Sequence, residues 1–375
     1  KIDPLDTHII VIEGDITPND TTKIKISLTR NLDQLSDEKQ DIVSAFVWVE
    51  DEVGNKYFGH RKIINFQTYY IVPPFNYNIN LKYKLCLNVT SNFSEIWGGG
   101  NNVQYTYESE LLKLLVAPPI ESIDYKVNED KSAVTFFVNS NDPSNNTTYY
   151  KWSFREDWEF KSLYMSYYEY NPFRKEIVPI NSYEDNRHIC WSFKESSSIL
   201  IFNTEALAED RVHMLPLVSM GKTDLRTSYL YSMNLKQMAI SKEAYKFWDN
   251  LKKNSEEIGG IFDPQPSEVS GNIKCISHPG KRVIGYISAG LPSYKRIFAK
   301  GKDIGIYKHP SNCGEMVVTG SENPLSDEWM YLIGYDIIGV DIDFNGGAPE
   351  KYWIAIQCVD CRLFGTKEKP SYWPN

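Results

Sequence analysis

Apolar and polar residues alternate with a period of two through much of the first half of the chain, a period that predicts strands. In "TKIKISLTR", Ile24, Ile26 and Leu28 fall on one face and Lys23, Lys25 and Ser27 on the other. "NINLKYKLCLNVT" (residues 78–90) repeats the pattern. Its apolar face is Leu81, Tyr83, Leu85, Leu87 and Val89, with Cys86 on the opposite face beside Lys82 and Lys84. "HIIVIEGDI" (8–16) is an apolar run that ends in the turn signal "TPND". "SAFVWVEDEVGNKYF" (44–58) reads as a hairpin, with Gly54-Asn55 supplying the positive φ a tight turn needs. Short strands separated by turn residues predict a sandwich of immunoglobulin type.

Two prolines in "VAPPIES" (116–122) cannot donate to a sheet ladder and mark a boundary. Strand patterns resume in "SIDYKV", "SAVTFFVNS" and "TTYYKWSF", the last two split by the turn "NDPSNN" (141–146), in the manner of a fibronectin-like sandwich. One helix is predicted strongly. Ser241 is its N-cap, Glu243 suits the positive end of its dipole, and Ala244, Trp248 and Leu251 share a face with Tyr245 beside them. Gly259-Gly260 supply its stop, before "FDPQPSEVSGNI" and the further strands "RVIGYISAG", "YKRIFAK" and "YWIAIQCVDCR". The expected fold is mainly β: tandem immunoglobulin/fibronectin-like β-sandwich domains and a C-terminal β-rich segment with one amphipathic helix. The expected divisions are 1–116, 117–235 and 236–375, with the late strands either forming a third part or completing the second sandwich.

Composition narrows the function more than the fold. The 375 residues exceed what one core usually serves. A 42% hydrophobic and 24% charged content is that of a globular chain. The net charge of −9 disfavours a nucleic-acid partner, which needs a concentrated basic face. No apolar run reaches the ~18 residues of a membrane-spanning helix. The chain begins at Lys1, with neither methionine nor a signal peptide, as a processed or a trimmed start would.

Three stretches carry candidate chemistry. The tail "CVDCRLFGTKEKPSYW" holds Cys358-x-x-Cys361. Such a pair suits zinc, with Cys275 and His278 of "CISH" as partners and His309 and Cys313 in reserve. A redox role needs the pair at the start of a helix, and here it follows a strand pattern. The reading preferred is a staple, in which either cysteine reaches back to Cys190 or Cys313 and pins the tail to the body, so neither metal nor cofactor is expected. "DIDFNGGAPEKY" (341–352) opens like a calcium loop with Asp341, Asp343 and Asn345. Its twelfth position is Tyr352 instead of glutamate, and Glu350 stands two residues early, so an ordinary loop is preferred. The aromatic stretch 149–173 is the third. Tyr150, Trp152 and Phe154 fit a sandwich core at period two, whereas Trp158, Tyr164, Tyr167, Tyr168 and Tyr170 do not share one buried face and are the candidate binding surface. There is no G-x-S-x-G, H-E-x-x-H, P-loop or dinucleotide fingerprint, and the six histidines mark no local triad.

Taken in order, "IIVIEGDIT", "YYKWSF", "HICWSF", "ISKEAYKFWDNLKKNSEEIGGIFDPQPSEVSGNIKC", "VIGYISAG" and the "CVDCRLFGTKEKPSYW" tail resemble a family of Bacteroidota envelope lipoproteins of unknown function, DUF 4249. The resemblance implies an exported protein anchored to the outer membrane through a lipidated cysteine just before Lys1, facing the cell surface. It also implies a TonB-dependent outer-membrane receptor as partner and an oxidising compartment that favours disulfides at Cys358 and Cys361. The expected function is therefore a non-enzymatic accessory or substrate-capturing subunit of such a receptor. The alternatives are a structural, assembly or adhesion component without a small ligand, and a glycan hydrolase with paired carboxylates in a cleft.

Overall fold

A computed structural model describes residues 9–29, 42–64, 67–91, 103–180, 187–256, 271–309, 313–320, 323–341 and 348–374. Among them the chain is mainly β, as expected, and builds two sandwiches and a smaller lobe. In the first sandwich one sheet runs in the order Val283–Ile284, Ile10–Glu13, Thr22–Leu28, Gln67–Val72, His60–Ile64. Its partner sheet runs Ile273–Cys275, Val103–Ser109, Lys82–Ser91, Ile42–Asp51, Lys56–Phe58. Tyr83, Leu85, Leu87 and Val89 enter the core between them as the alternation predicted, and Leu81 is partly buried at its edge. Cys86 is buried too, on the opposite face. The hairpin turn forms at Gly54, φ 96°, where the Asp51 carboxylate accepts from the backbone N–H groups of Val53 and Asn55.

Two strands of this sandwich come from beyond the helix. Ile273–Cys275 closes the edge of one sheet and Val283–Ile284 lies parallel to Ile10–Glu13 in the other. Gly285 makes the close approach possible. Its φ is +144°, and a Cβ there would sit 2.1 Å from the carbonyl oxygen of Ile12. Residues 236–375, expected to form a third part or to complete the second sandwich, supply strands to the first sandwich, the second and the lobe.

The second sandwich packs the sheet Ile120–Val127, Ala133–Asn141, Arg211–Gly221 against a sheet ordered Ile189–Glu195, Tyr149–Lys161, Leu230–Ala239, Ser293–Lys300, with Leu200–Asn203 also on Tyr149–Lys161. Tyr150, Trp152 and Phe154 fill its core, each burial contributing roughly 1.5–3 kcal/mol. Two polar ends are satisfied inside: the Tyr150 hydroxyl donates to Asp210 at 2.5 Å and the Trp152 indole N–H to Gln237 at 2.8 Å. Glu156, also buried, accepts from Arg226 at 2.7 Å and from the Tyr231 hydroxyl at 2.8 Å. The 141–146 turn is held by the Asp142 carboxylate, which takes the N–H groups of Ser144, Asn146 and Thr147.

The helix is Lys242–Glu256, with the Ser241 hydroxyl accepting from the Ala244 N–H at its start. Ala244, Phe247, Trp248 and Leu251 pack on Met238 and Tyr286. The Gly259-Gly260 stop lies outside the described residues. No helix among the described residues is long and apolar enough to cross a membrane.

The lobe holds a sheet ordered Val317–Thr319, Glu350–Ala355, Tyr335–Asp341, the hairpin Tyr168–Asn171/Glu176–Pro179 and the short helix Asp327–Leu332. Two disulfides tie it down, Cys190–Cys361 and Cys313–Cys358. Both tail cysteines are therefore staples, one reaching each of the two expected partners, and neither can ligate zinc. Cys86 and Cys275 are free and buried, and burial pushes the Cys86 thiol up to about 12. A thiol-specific reagent added to native protein without reductant should accordingly find no fast-reacting cysteine, and two after denaturation. Four or more would refute the disulfide map.

Candidate functional site

The strand Tyr149–Lys161 sends Tyr150, Trp152, Phe154 and Glu156 into the core, so the period of two places Lys151, Ser153, Arg155, Asp157 and Glu159 on the outer face. In Leu230–Ala239 the same alternation turns Ser232, Asn234, Lys236 and Met238 outward, and in Ser293–Lys300 it turns out Tyr294, Arg296 and Phe298. Register aligns these residues in rows across three adjacent strands: Ser153–Lys236–Tyr294, then Arg155–Asn234–Arg296, then Asp157–Ser232–Phe298. Directly opposed side chains stand roughly 4.5–5.5 Å apart at Cβ.

This outer face is covered at both ends. At one end the first sandwich and the helix meet it. Lys151 donates to both oxygens of Asp15 at 2.7 Å, its ammonium lies 4.8 Å from the Trp248 ring, and the Tyr294 hydroxyl donates to Asp20. At the other end lies the C-terminal tail. The Trp373 indole N–H donates to Glu159 at 2.8 Å, its ring meets Phe298 edge-on at 5.5 Å, and Tyr372 lies under the Arg296 guanidinium at 3.8 Å. The stretch between the two covers is a polar groove. The strand Leu230–Ala239 is its floor, with half-buried Asn234 and Lys236, while Ser153 and Tyr294 are exposed beside it. Phe193, 4.1 Å below the Arg155 guanidinium, forms a wall.

Within the groove Asp157 is nearly buried and takes Arg155 Nε at 2.8 Å and Arg296 Nη1 at 3.4 Å. Arg296 Nη1 also donates to Ser232 at 3.0 Å. Lys236 has no hydrogen bond or ion pair among the described residues. Burial drives its pKa down; the Asp15 and Asp20 charges pull it back and those of Lys151 and Lys23 push it further down. The side chains of Ser153 and Asn234 are likewise uncommitted among the described residues. The buried indole N–H of Trp248, at the covered end, has no acceptor among the described residues. Such a site can bind and orient a polar molecule through donors that the fold leaves unused.

The five aromatic candidates are not brought together. Trp158 is half-buried between the second core and the cluster of Phe160, Cys190 and Cys361. Tyr164 packs on the Cys313–Cys358 cluster, and Tyr168 on the lobe core. Tyr170 is buried, its ring 5.1 Å from that of Tyr331. Tyr167 alone of the five is exposed. Their failure to share a face reflects a chain that leaves the sheet after Lys161 and enters another lobe. That lobe does expose apolar side chains. Phe173 at the hairpin tip is 96% exposed, and Trp329, Leu332 and Ile333 are more than a third exposed on the adjacent helix, which the Lys175–Glu328 ion pair ties to the hairpin. No group of His, Cys, Asp and Glu among the described residues could hold a metal ion. Cys275 is buried, and the exposed His278 sits 5.0 Å from the Tyr105 ring. His309 lies beside the Tyr307 ring, at 6.3 Å between centroids. Asp343 and Asn345 of the calcium reading lie outside the described residues, and Asp341 accepts from the Tyr352 hydroxyl at 2.8 Å. Nothing local marks the groove residues, because the outward half of an alternating strand carries the same pattern on a solvated face as on a binding face. "YSMNLKQMA", with its own period of two, is not among the strands predicted above.

A family model described as a domain of unknown function, DUF4249, matches residues 1–296, a span that takes in the first sandwich and all of the second but the end of its Ser293–Lys300 strand, and stops before the lobe's sheet. No curated protein matches the chain. Among solved structures, the chain is similar to a DUF4785 family protein from Legionella pneumophila subsp. pneumophila, at 10% identity and a TM-score of 0.21, over 60% of this chain and 51% of that one. The chain thus spans about half the length of that protein.

Proposed function

The chain belongs to the DUF4249 family, and from that premise we propose that it is a non-enzymatic protein of the cell envelope, lipid-anchored at the outer membrane, that captures a small ligand for a TonB-dependent receptor. The observation that carries ligand capture is the groove on the outer face of the central sheet, where Ser153, Asn234 and Lys236 present polar groups with no protein partner among the described residues. Polar groups without a protein partner are hydrogen-bonded to water, and a ligand that brings its own acceptors can take that water's place. Export is supported by two disulfides, which persist in oxidising compartments. The receptor and the lipid anchor rest on the sequence resemblance.

The test is to tag the protein in its native cell, extract it in mild detergent and identify what co-purifies. A stoichiometric TonB-dependent channel is the expected result. Recovery alone would remove the channel from the proposal. A second reading, a structural or adhesive component, is favoured by the exposed apolar set Phe173, Trp329, Leu332 and Ile333, since apolar side chains gathered on one surface mark protein contacts. Co-purification with assembly machinery, abolished by Phe173→Ser with Leu332→Ser, would select it.

A further inference from the structure

We propose that the groove binds an oxyanion, a carboxylate or phosphate carried on a small polar molecule, held by Arg155, Lys236 and Arg296 around Asn234. This deepens the ligand-capture reading and rests on it.

The donors are counted from the hydrogen bonds. Arg155 engages Asp157 through Nε, which leaves both of its Nη groups without a protein acceptor among the described residues. Arg296 spends Nη1 on Asp157 and Ser232, which leaves Nε and Nη2. Lys236 spends none of its three donors. A planar guanidinium with two free N–H groups matches the two oxygens of a carboxylate or phosphate. The two guanidinium-bearing residues flank Asn234 directly, one on each neighbouring strand, and Lys236 is two residues along the same floor strand.

The charges point the same way. Asp157 lies against both arginines, whereas Asp15 is committed to Lys151 and Asp20 accepts from Tyr294. Glu195 stands opposite Arg155 on the next strand, exposed and not in an ion pair with it. Within the three aligned rows, Arg155, Lys236 and Arg296 face the one carboxylate of Asp157, with Asp20 and Glu195 at the rim, on a chain whose net charge is −9. An anion is repelled by most of this surface and drawn to this part of it. The half-buried Lys236 ammonium, with the Asp15 and Asp20 charges near but no ion pair among the described residues, is unfavourable in the empty groove, and a bound oxyanion relieves it. The rim supplies flat apolar faces, Tyr294 and Phe193, for the body of the molecule.

Pyridoxal 5′-phosphate tests the arrangement, because it carries an aldehyde and a phosphate on one small ring. The unprotonated Lys236 amine attacks the aldehyde carbon, the carbonyl oxygen leaves as water, and an imine forms. Added borohydride delivers hydride to the imine carbon, the nitrogen takes a proton from water, and the resulting secondary amine survives digestion. Peptide mapping then locates it. We expect Lys236 to be modified well over tenfold ahead of exposed lysines such as Lys131. Arg155→Gln or Arg296→Gln should cut that preference by about tenfold, since one charge-assisted hydrogen bond contributes about 1.5–3 kcal/mol. Arg155 is partly exposed, so its variant should retain the native circular dichroism spectrum. Protection by millimolar glucuronate and not by inorganic phosphate identifies a carboxylate ligand; the reverse pattern identifies a phosphate. Pyridoxal without its phosphate should lose the preference. Equal labelling of Lys236 by both aldehydes would overturn the oxyanion proposal and leave an open ligand groove. Labelling of Lys236 no faster than Lys131 by either aldehyde would remove the groove as the capture site as well.

Discussion

Replacing Cys190 and Cys361 together by alanine should lower the free energy of unfolding by about 3–5 kcal/mol and free the C-terminal tail. The bond joins residues 171 apart in sequence. In the chain-entropy picture, closing a loop of that size restricts the unfolded chain by ~5 kcal/mol, against ~4 kcal/mol for the 45-residue separation of Cys313–Cys358. The bond also holds the turn at Cys361–Leu363, from which the chain runs back over the sheet: Thr366 and Trp191 exchange backbone hydrogen bonds, Lys367 donates to the Ile189 carbonyl, and Trp373 reaches Glu159. Two readouts separate these effects. Urea unfolding gives the stability loss, and trypsin cleavage after Lys367 under native conditions reports the tail. If cleavage stays as slow as in the parent, the tail is held by its packing and not by the bond.

Arg187→Met should cost a further class of stability, about 3–5 kcal/mol near neutral pH, and the cost should grow with pH. Arg187 and Asp336 are both buried and ion-paired, and Arg187 Nη2 also donates to the Tyr168 carbonyl at 2.8 Å. Removing one member of a buried pair strands the other charge. Burial already pushes the Asp336 pKa upward, with the Arg187 charge and hydrogen bond as the chief opposition. Without Arg187 the carboxyl rises further. A carboxyl raised in the folded state binds its proton more tightly there than in the unfolded chain, so stability falls as pH climbs from the ordinary carboxylate range through the raised value. The variant should therefore lie closer to the parent at pH about 5 than at about 8, as urea midpoints would show. Adding Asp336→Leu should recover most of the loss, because it removes the stranded charge. A penalty that is flat with pH, or no recovery in the double variant, would mean that Arg187 acts by packing instead of charge.

Local pattern made much of the fold legible. Tyr83 through Val89, Tyr150 through Phe154, the hairpin at Gly54 and the Ser241 cap follow from neighbours a few residues away. The cysteines were legible as a set because the tail pair had few uses, and two of the six stay reduced in cores. What escaped the sequence is long-range. Ile10 pairs with Val283, and no pattern near either residue announces it. The Arg187–Asp336 pair joins positions 149 apart. The groove takes one row from each of three strands, with Ser153, Lys236 and Tyr294 meeting only through sheet register. A solvated strand face and a binding face carry the same alternation, and only the hydrogen-bond partners distinguish them.

The parallel strand Val283–Ile284 and its neighbour Ile273–Cys275 set an order of events for the chain as it emerges. The first sandwich begins near Ile10 but cannot complete one sheet until residue 275, or the other until residue 284, is available. Until then the edges of Ile10–Glu13 and Val103–Ser109 stand open, and open strand edges template aggregation. The second sandwich can assemble most of its strands in that interval, yet its Ser293–Lys300 strand follows directly after the closing segment. The two units therefore finish nearly together, late in synthesis. A truncation at residue 116 would keep the N-terminal strands and lose the pieces that seal them, so dissection of this protein should keep residues 9–300 in one piece.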